Sequence, residues 1–305
     1  MRVLIVGCGY VGLPLGVELI RLGHEVSGLR RNASAEGELK AAGIQPLFGD
    51  VTKPETLAAL PQNFDWVVNC VAAGGGADEY RQVYLQGTRN LIEWLTPNPP
   101  KKFVYTSSTS VYGQTDGSQV KESSPTEPFV ETAKVLLETE KALLAAVVER
   151  KFPAVILRVA GIYGPDRGHW FKQFLRNEAR MEGDGSRFLN MIHRDDLIGC
   201  IIAALKNGRP GEIYNAADDE PVSQLHFFQW LAQALDRSLP PSEPAAVALA
   251  RSGAPRKNPD ENRKRGVTNK RVLNCKLKME LGYRFKYPNF RKGYSAELLR
   301  LDRAG

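Results

Sequence analysis

The chain opens with four apolar residues, Val3 to Val6, that stop at Gly7-Cys8-Gly9-Tyr10-Val11-Gly12, and an amphipathic stretch follows at once. An apolar run that ends on G-x-G-x-x-G and leads into a helix describes a buried strand turning tightly at the head of a βαβ unit. Gly7 permits the turn, Gly9 lets the backbone approach a pyrophosphate, and Gly12 allows close packing of helix on sheet. The first N–H groups of the helix have no intrahelical partner and face the anion. On this pattern Gly7, Gly9, Tyr10, Val11 and Gly12 are candidate dinucleotide ligands; the alternative is a glycine turn without a ligand. The same opening imitates a signal peptide, but Gly7, Gly9, Gly12 and Pro14 interrupt its apolar run and no cleavage site follows.

The first half continues the βαβ pattern. Short apolar runs predict strands at Arg2–Val6, Glu25–Leu29, Gln45–Phe48, Trp66–Val71, Phe103–Ser107 and Ala154–Arg158. Amphipathic stretches between them predict helices at Tyr10–Leu22, Ala33–Ala42, Pro54–Leu60, Glu79–Leu95 and Val130–Arg150. Six strands alternating with five helices predict an α/β fold, a doubly wound parallel Rossmann sheet, with a smaller mixed C-terminal lobe. Beyond Pro165 the pattern loosens. A helix is expected at Asp195–Leu205, a strand at Glu212–Asn215, a helix at Ser223–Leu235 and a mobile loop within Ser238–Thr268. The expected division assigns residues 1–165 to a nucleotide-binding domain, to which about 190–218 returns, and 166–189 with 219–305 to a substrate-binding lobe.

The end of the second predicted strand reads Gly28-Leu29-Arg30-Arg31-Asn32, without the carboxylate that grips ribose hydroxyls in NAD enzymes. Two guanidiniums there suit a 2′-phosphate, which they bind through charge-assisted paired hydrogen bonds. NADP(H) is therefore expected in preference to NAD(H); the alternative is that Arg30 and Arg31 are solvated turn residues.

Further motifs follow in one order: Gly49-Asp50-Val51, Tyr84 with Gly87-Thr88, Ser107-Ser108-Thr109-Ser110-Val111-Tyr112-Gly113, Leu157-Arg158-Val159-Ala160-Gly161-Ile162-Tyr163-Gly164-Pro165, Ile192-His193-Arg194-Asp195-Asp196-Leu197, Gly211-Glu212-Ile213-Tyr214-Asn215 and Tyr287-Pro288. With these the chain resembles the extended short-chain dehydrogenase/reductase superfamily of nucleotide-sugar epimerases, dehydratases and reductases. Its G-x-G-x-x-G spacing is similar to that of an atypical subgroup. The resemblance implies cofactor contacts from Asp50, Val51, Val71 and Ala72. It also implies a Tyr general acid/base, a Lys four residues later that lowers the Tyr pKa and holds the nicotinamide ribose, and a Ser that binds the substrate oxygen. Ser108 and Lys134 occupy the last two positions, but Val130 stands where the Tyr belongs, and none of the ten tyrosines precedes a lysine by four residues. Tyr112, Tyr80, Tyr84, Glu131 and His193 are candidate replacements, none privileged by the sequence; the alternative for Tyr112 is a packing residue, and for His193 a residue that orders the turn into the Asp195–Leu205 helix. The resemblance further places Asn190, His193 and Arg271 at the substrate, together with Ser108 and Tyr112.

Charge is distributed unevenly. Residues 251–305 hold 16 Lys and Arg against 5 Asp and Glu, although the whole chain carries a net charge of only +7. A basic segment over the cleft would attract an anionic substrate. The basic cluster at Asn262–Gly266 lacks interleaved aromatics, which argues against nucleic acid. No stretch approaches the ~20 apolar residues of a membrane span. Four dispersed cysteines, Cys8, Cys70, Cys200 and Cys275, indicate neither a disulfide framework nor a metal cluster and fit a reducing cytoplasm. The expected protein is a cytoplasmic NADP(H)-dependent oxidoreductase or epimerase-like enzyme for an anionic, nucleotide-linked sugar. A homodimer through the Glu79 and Val130 helices is the family-like expectation. The alternative is a non-catalytic NADP(H)-binding sensor or scaffold that has lost the tyrosine.

Overall fold

A computed structural model describes residues 1–244 and 268–302. Seven strands, β1 (Arg2–Val6), β2 (Glu25–Arg30), β3 (Gln45–Phe48), β4 (Trp66–Asn69), β5 (Lys102–Ser108), β6 (Ala154–Val159) and β7 (Ile213–Ala216), form one sheet. Their order is β7-β6-β5-β4-β1-β2-β3, and every neighbouring pair is parallel. Strand order reverses between β1 and β4, the switch point at which doubly wound sheets open a crevice.

The helices are α1 (Gly12–Arg21), α2 (Glu36–Ala41), α3 (Pro54–Ala58), α4 (Ala77–Tyr80), α5 (Gly87–Leu95), α6 (Glu131–Arg150), α7 (His169–Leu175), α8 (Arg194–Asn207), α9 (Gln224–Ala234), α10 (Cys275–Leu281) and α11 (Phe290–Asp302). Strand alternation sorts them onto two faces. Val3 and Ile5 pack with Leu15 and Leu19 of α1 and Leu197 of α8, whereas Leu4 and Val6 pack with Leu91 and Leu95 of α5 and Leu143 of α6. Both faces of β1 are thus covered, which is why Val3 to Val6 read as one continuous apolar run. Among the described residues no helix is long and apolar enough to cross a membrane, and the four cysteines are free thiols.

The predicted elements recur with ends that agree or shift by up to three residues, and two helices are divided: that expected over Ala33–Ala42 starts as a 3₁₀ turn at Ala33–Ala35 before α2. The helix expected over Glu79–Leu95 is interrupted by a π-helical stretch at Arg81–Gln86, which joins α4 to α5 and carries Tyr84. Tyr163, Phe174, Leu189, Phe227, Phe290 and Tyr294 build a third core, in the region where the substrate-binding lobe is expected.

The stretch 219–305, expected as part of that lobe, divides. Lys270–Val272 pairs in parallel with Ser118–Val120, α10 lies against α8 and β7, and Val272, Leu277 and Leu281 join the core of the sheet domain. Periodicity could not show this, because a three-residue strand has too few positions to declare its partner. Of the expected Ser238–Thr268 loop, Ser242–Glu243 pairs with Met181–Glu182, and residues 245–267 lie outside the described residues.

Candidate active site

A cleft of about 610 Å³ runs across the carboxyl ends of the strands, within the ~300–1,000 Å³ usual for ligand sites. Its floor is the glycine loop. Gly7 has φ +95°, and a Cβ there would lie 2.8 Å from the Cys70 carbonyl oxygen, so strand-to-strand contact and backbone conformation both demand glycine. A Cβ on Gly12 would lie 2.3 Å from the Gly7 oxygen, which fixes the close approach of α1. At Gly9, by contrast, a Cβ would meet nothing within 4 Å. That open face borders the cleft, and no side chain caps the N-terminus of α1. The loop therefore sets free space beside a helix N-terminus that no side chain caps, the arrangement that suits a diphosphate.

The β2 and β3 ends form one side. Arg30 is half-buried and donates to the Cys8 carbonyl, while Arg31 is exposed; both line the cleft with Asn32. Asp50 is the one carboxylate among the described lining residues. Its Oδ1 accepts from the Thr52 amide at 2.9 Å and the Thr52 hydroxyl at 2.8 Å. Val51, Val71 and Ala72 supply apolar wall. The residues present fit a dinucleotide, since the glycine loop, Arg30 and Arg31 line one cleft.

The β4, β5 and β6 ends form the other side. Ser108 lines the cleft, and its Oγ accepts from the Ser110 amide at 3.1 Å while capping a short 3₁₀ turn. Thr106 and Tyr84 line the same cleft, and the Tyr84 hydroxyl accepts from the Ala73 amide at 3.3 Å. Tyr10 and Tyr84 are the two tyrosines among the lining residues. Tyr10 has guanidiniums near its ring, Arg167 at 4.9 Å and Arg194 at 5.3 Å from the centroid; burial pushes its hydroxyl up to about 12, against the pull of those two charges.

Eight sequence candidates lie outside this lining: Gly12, Tyr80, Glu131, Lys134, Tyr112, Asn190, Arg271 and His193. Lys134 is exposed on α6 and donates to Glu131 at 2.7 Å, and half-buried Val130 caps that helix. Tyr112 is fully buried; its hydroxyl donates to Asn215 Oδ1 at 2.8 Å and accepts from Arg158 at 2.9 Å, and burial raises its pKa. Asn190 is absorbed in holding the returning strand, donating to the Lys270 carbonyl at 2.9 Å and accepting from the Val272 amide at 2.7 Å. Arg271 donates to the Gly117 carbonyl at 2.8 Å and lies over the Phe188 ring. His193 caps α8, its Nδ1 accepting from the Asp195 amide at 3.1 Å, so the proton of the neutral ring sits on Nε2 and is donated toward Glu297. Burial holds His193 well below its ordinary value, which keeps the ring neutral.

Sequence reading passed over two arginines. Arg158 forms a buried ion pair with Glu140 at 2.7 Å, and a charge inside an otherwise apolar strand was its signal. Arg167, in the turn after Pro165, lines the cleft but carries no sequence mark beyond its charge.

Known proteins share this architecture. Protein YeeZ of Escherichia coli K12 is 28% identical over 299 residues, covering 94% of this chain and 97% of that protein. A solved structure of a functionally unknown conserved protein from Silicibacter pomeroyi is 27% identical, with TM-score 0.79 and coverage of 99% of this chain and 98% of that one. The UDP-glucuronic acid 4-epimerase of Bacillus cereus, solved with UDP-glucuronic acid and NAD, shares the fold over the full length of both chains at 22% identity and TM-score 0.79. The sequence profile of the NAD dependent epimerase/dehydratase family matches residues 3–217. The glycine loop at the switch point, the seven-stranded parallel sheet and this match agree with the resemblance to short-chain dehydrogenases: the chain belongs to the NAD dependent epimerase/dehydratase family, a family of NAD-dependent enzymes.

Proposed function

We propose that the protein is an NADP(H)-dependent oxidoreductase or epimerase that acts on a hydroxyl-bearing or carbonyl carbon of an anionic, nucleotide-linked sugar. The observation that carries this reading is one cleft that joins the glycine loop and two arginines at one end to the hydroxyls of Ser108 and Tyr84 at the other. When bound, the nicotinamide supplies a hydride acceptor or donor. Ser108 donates its hydroxyl proton in a hydrogen bond to the substrate oxygen. With Tyr112, His193 and Glu131 outside the lining, the proton that leaves or joins that oxygen falls to the Tyr84 hydroxyl. Arg31, exposed where Arg30 is tied to the Cys8 carbonyl, is the freer partner for a 2′-phosphate. Support for the substrate class is that the Bacillus cereus epimerase, solved with UDP-glucuronic acid, shares this fold. A cytoplasmic location and a homodimer through the Glu79 and Val130 helices complete the proposal; Val148, 74% exposed on α6, is an apolar side chain left on that surface.

Titration tests the cofactor half. NADPH should bind roughly tenfold or more tightly than NADH, one good charged contact's worth, and Arg31→Ala should abolish the difference; equal affinities in the unaltered protein would refute the preference. For the chemistry, NADPH oxidation or NADP reduction should appear with some nucleotide sugar and be suppressed in Ser108→Ala. One observation favours a sensor instead, the outward-facing Lys134 beside Val130. Tight NADPH binding without turnover across a broad panel would establish that second reading.

A further inference from the structure

Arg167 sits in a turn that fixes its backbone and leaves its head group uncommitted. The Gly164 and Arg167 peptides bond each other in both directions at 3.0 Å, which closes Pro165 and Asp166 into a tight loop directly after the Gly161–Tyr163 strand. The side chain is exposed, lines the cleft, and holds its guanidinium 4.9 Å from the centroid of the Tyr10 ring. Tyr10 is the residue between Gly9 and Val11, so this guanidinium stands at the phosphate-binding loop itself. No carboxylate among the described residues lies within ion-pair distance of Arg167, whereas Arg194, the other guanidinium near the Tyr10 ring, has Asp195 at 3.3 Å. A guanidinium stacked on an aromatic face keeps its planar N–H donors available to a phosphate, and a ring partner restrains it without neutralising it.

We propose that Arg167 is a diphosphate ligand, closing on the dinucleotide's diphosphate from the side opposite the α1 N-terminus, with the Tyr10 ring as its resting platform. The proposal rests on reading the cleft as a dinucleotide site. It gives that site two unlike anion contacts: backbone N–H groups from the sheet domain, and a charged side chain from the segment that leads into the lobe. Binding of the cofactor would then draw the lobe segment toward the glycine loop, which couples cofactor capture to formation of the substrate side of the cleft. A nucleoside diphosphate sugar carries the same chemical group, so the probes must separate the two sources.

Equilibrium affinities of the full-length protein for NADPH, for ADP-ribose and for UDP, compared with Arg167→Gln and Arg167→Lys, make the test. Arg167→Gln should weaken NADPH and ADP-ribose by about tenfold to a hundredfold, the range of a hydrogen bond to a charged group, whatever it does to UDP. Arg167→Lys should recover part of the loss, and the loss should shrink as ionic strength rises. The melting temperature without ligand should stay unchanged, since the side chain makes no ion pair with the described residues. Arg176→Gln, an equal change of charge at an exposed residue outside the cleft, should leave all three affinities within about twofold. Dinucleotide affinities that survive Arg167→Gln overturn the proposal. A loss confined to UDP overturns it too, by assigning the arginine to the substrate's diphosphate. Failure of the unaltered protein to bind any dinucleotide would instead defeat the underlying reading of the cleft, and the proposal with it.

Discussion

Val130 presents no hydroxyl where the family's acid/base stands, and the protein's own chemistry decides which other group can serve. Tyr112 is spent: its oxygen already donates to Asn215 and accepts from Arg158 at zero exposure. His193 is spent as a helix cap. Tyr84 differs in lining the cleft, where its hydroxyl accepts from the Ala73 amide just after β4. Strands β4 and β5 pair up to Asn69 opposite Tyr105, and Tyr84 and Ser108 both line the cleft beyond their carboxyl ends. Neighbouring strands lie ~4.8 Å apart, so the Tyr84 hydroxyl and Ser108 belong to the same end of the cleft. Tyr84→Phe should therefore lower the single-turnover rate by about 10²–10⁴, the usual contribution of general acid–base catalysis, with NADPH affinity retained. Turnover that survives Tyr84→Phe would return the proton to water.

Elements are joined by a buried polar network that links α6, β5 and β6. Glu140 on α6 accepts from Ser107 of β5 at 2.6 Å and pairs with Arg158 of β6 at 2.7 Å, with the two charged side chains 1% and 4% exposed. Arg158 also donates to Tyr112 and to the Glu122 carbonyl, so the ion pair is saturated with hydrogen bonds. Breaking a buried pair from one side strands the other charge, at a cost of about 3–5 kcal/mol. Glu140→Gln should lower unfolding free energy in urea by an amount of that order. The double change Glu140→Leu with Arg158→Met should recover a good part of it, because neither charge is then left buried alone. A Glu140→Gln variant as stable as the parent would show that water reaches Arg158.

The whole molecule is closed by a late segment returning to an early one. Lys270 opens the strand that pairs with Ser118–Val120, and its buried ammonium donates to the Tyr112 carbonyl at 2.9 Å. Burial lowers its pKa from 10.5 to about 8, with a smaller push from Arg187. Between those two values the unfolded chain holds the proton more tightly than the folded one, so the lysine's contribution to stability improves as pH rises from about 8 to 10.5. Below about 8 the cost of burying the charge is present in full. The stability difference between the parent and Lys270→Met should thus move in the parent's favour across that window. A difference that does not change with pH would mean that Lys270 is solvated in the folded state.

The sequence by itself determined the sheet and the floor of its cleft. Glycine spacing and unbroken apolar runs are local properties, and the steric demands of Gly7 and Gly12 and the two-sided burial of β1 follow from them directly. Arg30, Arg31, Asp50 and Ser108 were legible for the same reason: each ends a parallel strand or follows its end by one or two residues, and strand ends in such sheets face the crevice. Only the tertiary structure decided where the remaining polar side chains point. Asn190 and Arg271 hold the returning strand and its neighbouring loop, Tyr112 serves a buried network, and Lys134 turns to a glutamate one turn back on α6. Tyr84 and Arg167 reach the cleft through a π-helical stretch and a tight loop. Their directions depend on helical phase and on contacts with residues far along the chain, information that no short window of sequence contains.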